Sequence, residues 1–231
     1  DGAIEALLVA GSDEQKALYL PRLIDGTWTG TMNLTEPQAG SDLSQVRSRA
    51  EPQADGTYRV FGQKIFITYG DHDLAENIIH LVLARTPGAP EGTRGISLFI
   101  VPKFHVAADG SLGARNDVSC VSLEHKLGIH ASPTCVMSYG ENGECIGEMV
   151  GAENTGIRAM FTMMNAARIN VGSQGVQIAE GATQKAVHFA QERVQSARAG
   201  GASRDSVAII EHPDVRRMLM VQKCLAEGLR A

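Results

Sequence analysis

The segment TMNLTEPQAGSD, residues 31–42, joins a strand-like run to a short polar loop. Four positions of that run alternate with threonine or asparagine: Trp28, Gly30, Met32 and Leu34. This period of two predicts a β-strand. The loop that follows contains a proline, a glycine, a hydroxyl and two acids within eight residues. Such a loop either reverses the chain or holds an anion or a polar ring, and its own residues do not decide between the two.

More strands are predicted downstream of this loop. The segment TYRVFGQKIFIT, residues 57–68, follows the turn dipeptide Asp55-Gly56 and is rich in β-branched and aromatic residues. Continuous apolar runs at residues 77–86 and 95–104 indicate buried strands. Later strands are expected at residues 118–125, at residues 134–139 and just before Gly151. Many short strands separated by turn signals favour a sandwich or a barrel.

Helical patterns flank this β region. Before it, residues 11–26 predict a helix with Ser12 as N-cap and Gln15 three positions later, and Pro21 is expected to break or kink that helix. After it, the chain from residue 153 onward predicts long helices, the last of them opened by Pro213. Three glycines interrupt the first of these long helices, and close packing against another helix is their expected reason: Gly172, Gly175 and Gly181.

The order of these regions predicts an α+β architecture rather than alternating βαβ units. We expect the end of one helical domain at residues 1–26, a β-barrel or sandwich domain at 27–152, and the start of a second helical domain at 153–231. The chain lacks an initial methionine, and its last residues still have a helical pattern. We therefore expect it to be an internal fragment of a longer protein.

Composition narrows the class of function. The 231 residues are 43% hydrophobic and 20% charged, with a net charge of −5, which argues against nucleic-acid binding and against attraction to anionic membranes. No apolar run reaches membrane-spanning length, so a cytoplasmic location is the expectation. The four cysteines form no CxxC pair, and reduced thiols are expected.

Familiar catalytic and nucleotide-binding motifs are absent from the sequence: there is no GxGxxG, Walker loop, HExxH or GxSxG. The DHD triplet at residues 71–73 is more typical of a solvated turn than of a metal site, and His125 and His130 are expected to straddle a turn. Three methionines at helical spacing predict adaptable core packing: Met160, Met163 and Met164.

Polar groups at strand ends remain as the candidate chemistry. Thr35 and Thr68 each end a predicted strand, and neighbouring strands would bring both hydroxyls to one rim. Gly40 removes the Cβ that would oppose a close approach, and Ser41 has a hydroxyl and an N–H to donate to a phosphate. Each feature taken alone is more typical of turn chemistry than of a binding site.

Read together, these segments resemble the acyl-CoA dehydrogenase family of flavoproteins. MNLTEPQAGSD resembles its flavin-loop signature, GQKIFIT its second signature, and LGIHASPT a later turn; Arg168 and Arg193 resemble two arginines of its long helix. The matches occur in family order and cover nearly the whole chain. The resemblance implies a middle β domain between an N-terminal helical domain and a C-terminal helical bundle. It is nearer to the branch of large bacterial members that includes 3-(methylthio)propanoyl-CoA dehydrogenases.

The resemblance also implies FAD as cofactor, an acyl-CoA substrate and a set of site residues. The positions expected to contact FAD are Met32, Leu34, Thr35, Gly40, Ser41, Phe66, Thr68 and Arg193, the last reaching the FAD of a neighbouring subunit. The positions expected to contact the CoA are Ser41, Asn165 and Arg168. The chain departs from the family at Phe66, where tryptophan is common, and at Asn165, where many relatives have aspartate.

The family's catalytic base has no counterpart in the sequence. Relatives use a glutamate far toward the C-terminus or one immediately before the position of Arg168, where this chain has Ala167. Glu36 belongs to the loop signature and is not a candidate base. We expect the base beyond Ala231 and no dehydrogenase activity from these residues alone.

The resemblance further implies a homodimer or homotetramer and electron-transfer flavoprotein or a similar acceptor. An acyl-CoA oxidase or a nitroalkane-oxidase relative would share the flavin loops. A degenerate, non-catalytic member of the family is the alternative outside enzymes.

Overall fold

The structure is a computed structural model that describes residues 1–231. Its helices are α1 (Gly2–Ala10), α2 (Asp13–Ile24), α3 (Gly156–Glu192) and α4 (Pro213–Arg230). Its strands are β1 (Trp28–Asn33), β2 (Arg49–Pro52), β3 (Tyr58–Thr68), β4 (Asn77–Ala84), β5 (Ser97–Pro102), β6 (Phe104–Val106), β7 (Leu112–Arg115), β8 (Val118–Leu123), β9 (Thr134–Tyr139), β10 (Ile146–Val150), β11 (Val194–Ala197) and β12 (Ser206–Ala208). None of the helices combines the length and the apolar character needed to cross a membrane.

The chain forms two compact units, residues 1–166 and residues 167–231. Helices and an eight-stranded mixed sheet make up the first unit, which gives the α+β class that the sequence predicts. The domain boundaries at residues 26/27 and 152/153 stay a prediction.

The large sheet runs in the order β1-β4-β5-β10-β3-β9-β8, and β2 pairs with the long strand β3 outside this path. β1 and β4 are parallel, and the other pairs are antiparallel. β1 and β3, which carry the two sequence signatures, are therefore not neighbours in the sheet order.

The central strands are buried on both faces, which explains their continuous apolar sequence. All eight residues of β4 are buried, and so are all six of β5. On one face, Leu81 and Leu83 pack with α1, α2 and the start of α3. On the other face, Val82 and Ala84 pack in a second core with residues of β3 and β9.

Helix α2 begins at the predicted N-cap and runs on past Pro21, where a break or a kink was expected. Ser12 and Gln15 form the reciprocal capping box, with Gln15 N 3.1 Å from Ser12 Oγ and Ser12 N 3.1 Å from Gln15 Oε1. Pro21 does not break the helix, which continues to Ile24. The missing N–H of Pro21 removes one helical hydrogen bond, and the carbonyl of Pro21 still accepts from Asp25 N at 3.0 Å.

The second unit contains the rest of α3, a short β11–β12 hairpin and α4. The sequence did not predict the hairpin, whereas Pro213 opens α4 as expected. No residue of this chain packs at the three helix glycines, because a Cβ at Gly172, Gly175 or Gly181 would meet no atom of a neighbouring element within 4 Å; the packing expected there stays a prediction.

Candidate functional site

The two sequence signatures meet directly, although their strands are not paired in the sheet. Ile65 N, on β3, donates to the carbonyl of Thr35 at 2.9 Å. Lys64 Nζ donates to the carbonyl of Leu34 at 3.1 Å. The loop that follows β1 is thereby fixed against β3 just before β3 reaches its end at Thr68.

A β-bulge sets the direction of Phe66. The pairing of β3 with β9 slips between Lys64 and Ile67, so that two residues of β3 stand opposite one residue of β9. Phe66 adopts a left-handed backbone conformation with φ of 60°, which is uncommon for a bulky residue. Its side chain is 59% exposed, whereas its neighbour Ile67 is buried. The bulge therefore presents an aromatic ring at the surface of the first unit.

Phe66 lies at the wall of a cavity of about 580 Å³ in the first unit. The wall is formed by the start of α1, by β1, by the end of β3 and by the turn after it. Met32 and Thr68 share this wall with Phe66, so three of the predicted positions come together. Trp28 also lies in the wall, and its buried indole Nε1 has no hydrogen-bond partner within the protein.

His72, which sequence reasoning placed in a solvated turn, also lies in this wall. Its Nδ1 accepts from Leu74 N at 3.1 Å, so the neutral ring carries its proton on Nε2, which lies 3.3 Å from Thr29 Oγ1. Burial, together with the nearby Lys103 ammonium, lowers the pKa of His72. The imidazole is therefore held in one tautomer, with its N–H directed to the Thr29 hydroxyl.

The remaining loop positions do not line this cavity. Thr35 is half-buried, and Gly40 and Ser41 are exposed. A Cβ at Gly40 would meet only the Thr35 Cγ2 at 3.6 Å, so contacts within the chain do not require glycine there. Leu34 packs against the core between sheet and helices.

Glu36 is tied into the loop by five hydrogen bonds. Its carboxylate accepts from Lys64 Nζ at 2.8 Å, from Ser48 N at 3.0 Å and Ser48 Oγ at 2.6 Å, from Arg47 N at 2.8 Å and from Gln38 Nε2 at 2.5 Å. Burial by itself raises the pKa of Glu36, but the Lys64 ammonium and these donors outweigh it and lower the pKa to about 2. A carboxylate so saturated is a structural anion and a poor proton acceptor.

Lys64 and Gly62 hold the loop signature in place, and neither was singled out from the sequence. Lys64 is fully buried, and burial lowers its pKa while Glu36 opposes that shift. Gly62 has φ of 143°, and a Cβ there would overlap Ser48 Oγ. The glycine therefore leaves room for the serine that donates to Glu36. The second signature, GQKIFIT, could have drawn attention to both residues, because glycine and lysine occupy fixed places in it.

A chain of buried polar groups lies below this region. Tyr139 OH donates to Asn33 Oδ1 at 2.7 Å, and Asn33 Nδ2 donates to Thr31 Oγ1 at 2.8 Å. Thr31 Oγ1 in turn lies 2.7 Å from His80 Nδ1. Burial lowers the pKa of His80 to about 3, so the ring is neutral. These contacts link β9 to β1 through side chains, and the sequence pattern gave no sign of them.

The other predicted positions lie on or after α3. Asn165 and Arg168 belong to α3 and are exposed residues. Arg193 directly follows that helix, is exposed, and places Nη2 3.3 Å from Gln195 Oε1. Ala167 offers no acidic group beside Arg168.

Comparison with known sequences identifies relatives along the whole chain. Residues 31–141 match the middle domain of acyl-CoA dehydrogenases. The chain is 60% identical over 231 residues to 3-methylmercaptopropionyl-CoA dehydrogenase of Ruegeria pomeroyi and 47% identical over 236 residues to a butyryl-CoA dehydrogenase of Syntrophomonas wolfei. In both comparisons all of this chain is covered, and it spans 39% of the length of the relative.

Solved structures show the same fold. Butyryl-CoA dehydrogenase from Megasphaera elsdenii superposes with a TM-score of 0.74 at 28% sequence identity, covering 98% of this chain and 53% of that structure. The arrangement of β1, β3 and the flanking helices thus belongs to a known architecture.

Proposed function

The chain belongs to the acyl-CoA dehydrogenase family, and from this premise we propose that the protein catalyses FAD-dependent α,β-desaturation of an acyl-CoA thioester. The observation that carries the proposal is the junction of the two signatures. The hydrogen bond from Ile65 N to the Thr35 carbonyl ties the polar loop to the strand that presents Phe66 and Thr68. This bond supports a cofactor site that uses both signatures.

The cavity wall has the chemistry that a flavin ring requires. Phe66 offers an exposed aromatic face, Met32 an apolar side chain and Thr68 a hydroxyl, and Trp28 contributes a buried N–H without a partner. We assign Phe66 to the ring face, Thr68 to the reactive edge and Thr35 to the polar edge. Bound flavin would supply the hydride acceptor, and the protein supplies position and polarisation.

The exposed end of the loop suits the anionic part of the ligands. Gly40 and Ser41 leave backbone and hydroxyl donors open at the surface, where Ser41 would donate to a phosphate or to the pantetheine. Asn165 and Arg168 would contact the CoA. Arg193 would reach the phosphates of an FAD held by a second subunit, since a guanidinium matches phosphate oxygens. That role requires a homodimer or homotetramer.

The catalytic base is assigned outside residues 1–231. Glu36 is excluded as the base by its five donors and its lowered pKa, and Ala167 has no proton acceptor. A carboxylate supplied from beyond Ala231 would remove the α-proton, and the isolated 231 residues would be inactive. Electron-transfer flavoprotein or a similar carrier would reoxidise the flavin.

The acyl group is assigned by similarity to the Ruegeria relative. At 60% identity over the whole chain, a short or methylthio-substituted acyl-CoA is the proposed substrate class. The test compares kcat/KM of the full-length protein for 3-(methylthio)propanoyl-CoA and butanoyl-CoA, with an artificial electron acceptor. We expect the methylthio substrate to be preferred. Turnover that needs only oxygen and yields hydrogen peroxide would instead identify an oxidase.

A further inference from the structure

The Glu36–Lys64 ion pair is the most buried in the chain. Its N–O distance is 2.8 Å, with 0% of the Lys64 side chain and 3% of the Glu36 side chain exposed. The other ion pairs are more exposed on both partners; Lys103–Asp71 comes next, with 11% and 22% exposed. Such a pair is a poor device for stability alone, because the loss of hydration of both ions offsets most of their attraction.

The pair ties the residues on both sides of Thr35 to β3. Lys64 Nζ donates to the carbonyl of Leu34, just before Thr35, and to the carboxylate of Glu36, just after it. The carbonyl of Thr35 itself accepts from Ile65 N. Three consecutive loop residues are therefore bonded to two consecutive residues of β3.

The carboxylate extends this attachment to the chain before β2. Glu36 accepts from Arg47 N, Ser48 N and Ser48 Oγ, and its own backbone closes the loop by paired bonds with Ala39 at 2.8 and 3.0 Å. A neutral apolar pair of the same volume would fill the space but could make none of the bonds to the carboxylate.

We propose that Glu36 and Lys64 act as one positioning unit, which holds Thr35 and the following loop in the conformation that binds the flavin. This inference rests on the proposed function, because the ligand it serves is the FAD assigned there. Neither residue is assigned a contact with the flavin. Both act through the backbone of residues 34–36.

The test uses the full-length protein and the variant Lys64→Met, which keeps the aliphatic length and removes the ammonium. We expect amide hydrogen exchange of residues 35–41 to become faster, with exchange in the core strand β4 unchanged. We expect the FAD dissociation constant of the apoprotein to rise about tenfold, the loss that corresponds to one well-placed hydrogen bond to a charged group. Glu36→Gln keeps the shape of the side chain and one accepting oxygen, so its loop exchange and FAD dissociation constant should lie between those of the unmodified protein and Lys64→Met.

The matched control is Glu51→Gln, which breaks the exposed ion pair between Glu51 and Arg49 within β2. It should leave loop exchange and FAD affinity unchanged. Unaltered loop exchange in both Lys64→Met and Glu36→Gln would overturn the positioning role, whether or not flavin binds. If Lys64→Met does not fold, Glu36→Gln alone decides the same point. Failure of the unmodified protein to bind FAD would defeat the proposed function and leave the exchange result to decide the positioning role.

Discussion

Phe66 has an unfavourable backbone conformation at the wall of the cavity in the first unit. A left-handed backbone conformation is unfavourable for a bulky side chain by about 1–2 kcal/mol. Because the ring is exposed, burial of its apolar surface offsets little of that cost. Strain held at a cavity wall is expected where the ring direction matters for a ligand. The sequence places an aromatic residue at position 66, but it could not predict the bulge, because a bulge depends on the register of β3 with β9.

The Phe66 conformation predicts that glycine is more stabilising than alanine at this position, the reverse of the usual order. Phe66→Gly should be more stable than Phe66→Ala by about 1 kcal/mol, because glycine accepts positive φ and alanine does not. At Gln63, an exposed residue of β3 without positive φ, the order should be reversed. Urea unfolding of the four variants checks both orders, and equal stabilities at position 66 would contradict the strain. Both variants at position 66 should bind FAD more weakly.

Glu36 gives a pH dependence whose sign follows from its lowered pKa. A carboxyl with a pKa near 2 in the folded state and 4.5 when unfolded stabilises the fold above pH 4.5, and this contribution is lost as pH falls toward 2. We expect the unmodified protein to lose up to about 3 kcal/mol more than Glu36→Gln over that range. Unfolding free energies measured at several pH values give the two slopes. Parallel slopes would mean that the ion pair does not hold the carboxylate ionised.

Among the secondary-structure elements, the local sequence pattern predicted the strands that are buried along most of their length. β4 and β5 are covered on both faces and have continuous apolar sequences, and β9 occupies the predicted residues 134–139. β2, β7 and the two strands of the β11–β12 hairpin are at most four residues long and Ala50 is their one buried residue, so no periodic apolar signal marks them. The Glu36–Lys64 pair escaped prediction because its partners are 28 positions apart and meet only through tertiary packing.

Gly62 tests how tightly β3 packs on the chain before β2. Gly62→Ala should lower the free energy of unfolding by more than about 2 kcal/mol, because its Cβ would overlap Ser48 Oγ and its φ of 143° is unsuited to alanine. Gly143→Ala is the control, since Gly143 has φ of 78° but a Cβ there would meet no atom within 4 Å. It should cost only the backbone strain of about 1 kcal/mol. Thermal unfolding would disprove the overlap if the two variants were equally stable.

At the scale of the whole molecule, the proposed activity needs more than these residues. The chain spans 39% of the length of the Ruegeria and Syntrophomonas relatives, and the assigned base is outside it. The first unit carries the two sequence signatures, and the second unit carries Arg168 and Arg193. The sequence signatures could predict the family and the fold class, whereas the contacts proposed for FAD and for a second subunit stay predictions, because they depend on groups outside this chain.

Arg193 provides a test of the contact proposed between one subunit and the FAD of another. Arg193→Ala should weaken FAD retention of the oligomer by about tenfold, the loss of a charge-assisted contact with a phosphate. Arg217→Ala is a matched control in the same unit, because Arg217 pairs with Asp214 on the surface of α4 at 2.8 Å. Flavin content after gel filtration measures the effect. Equal flavin content in both variants would show that Arg193 does not contact the FAD.

We propose above that the junction of the two signatures holds a flavin that oxidises an acyl-CoA. The most direct measurement is an anaerobic titration of the full-length protein, reconstituted with FAD, with 3-(methylthio)propanoyl-CoA while the visible flavin absorbance is recorded. We predict that the flavin is bound and loses its visible absorbance as substrate is added. A protein that cannot take up FAD, or one whose bound flavin stays oxidised with both methylthio- and butanoyl-CoA, would contradict the claim.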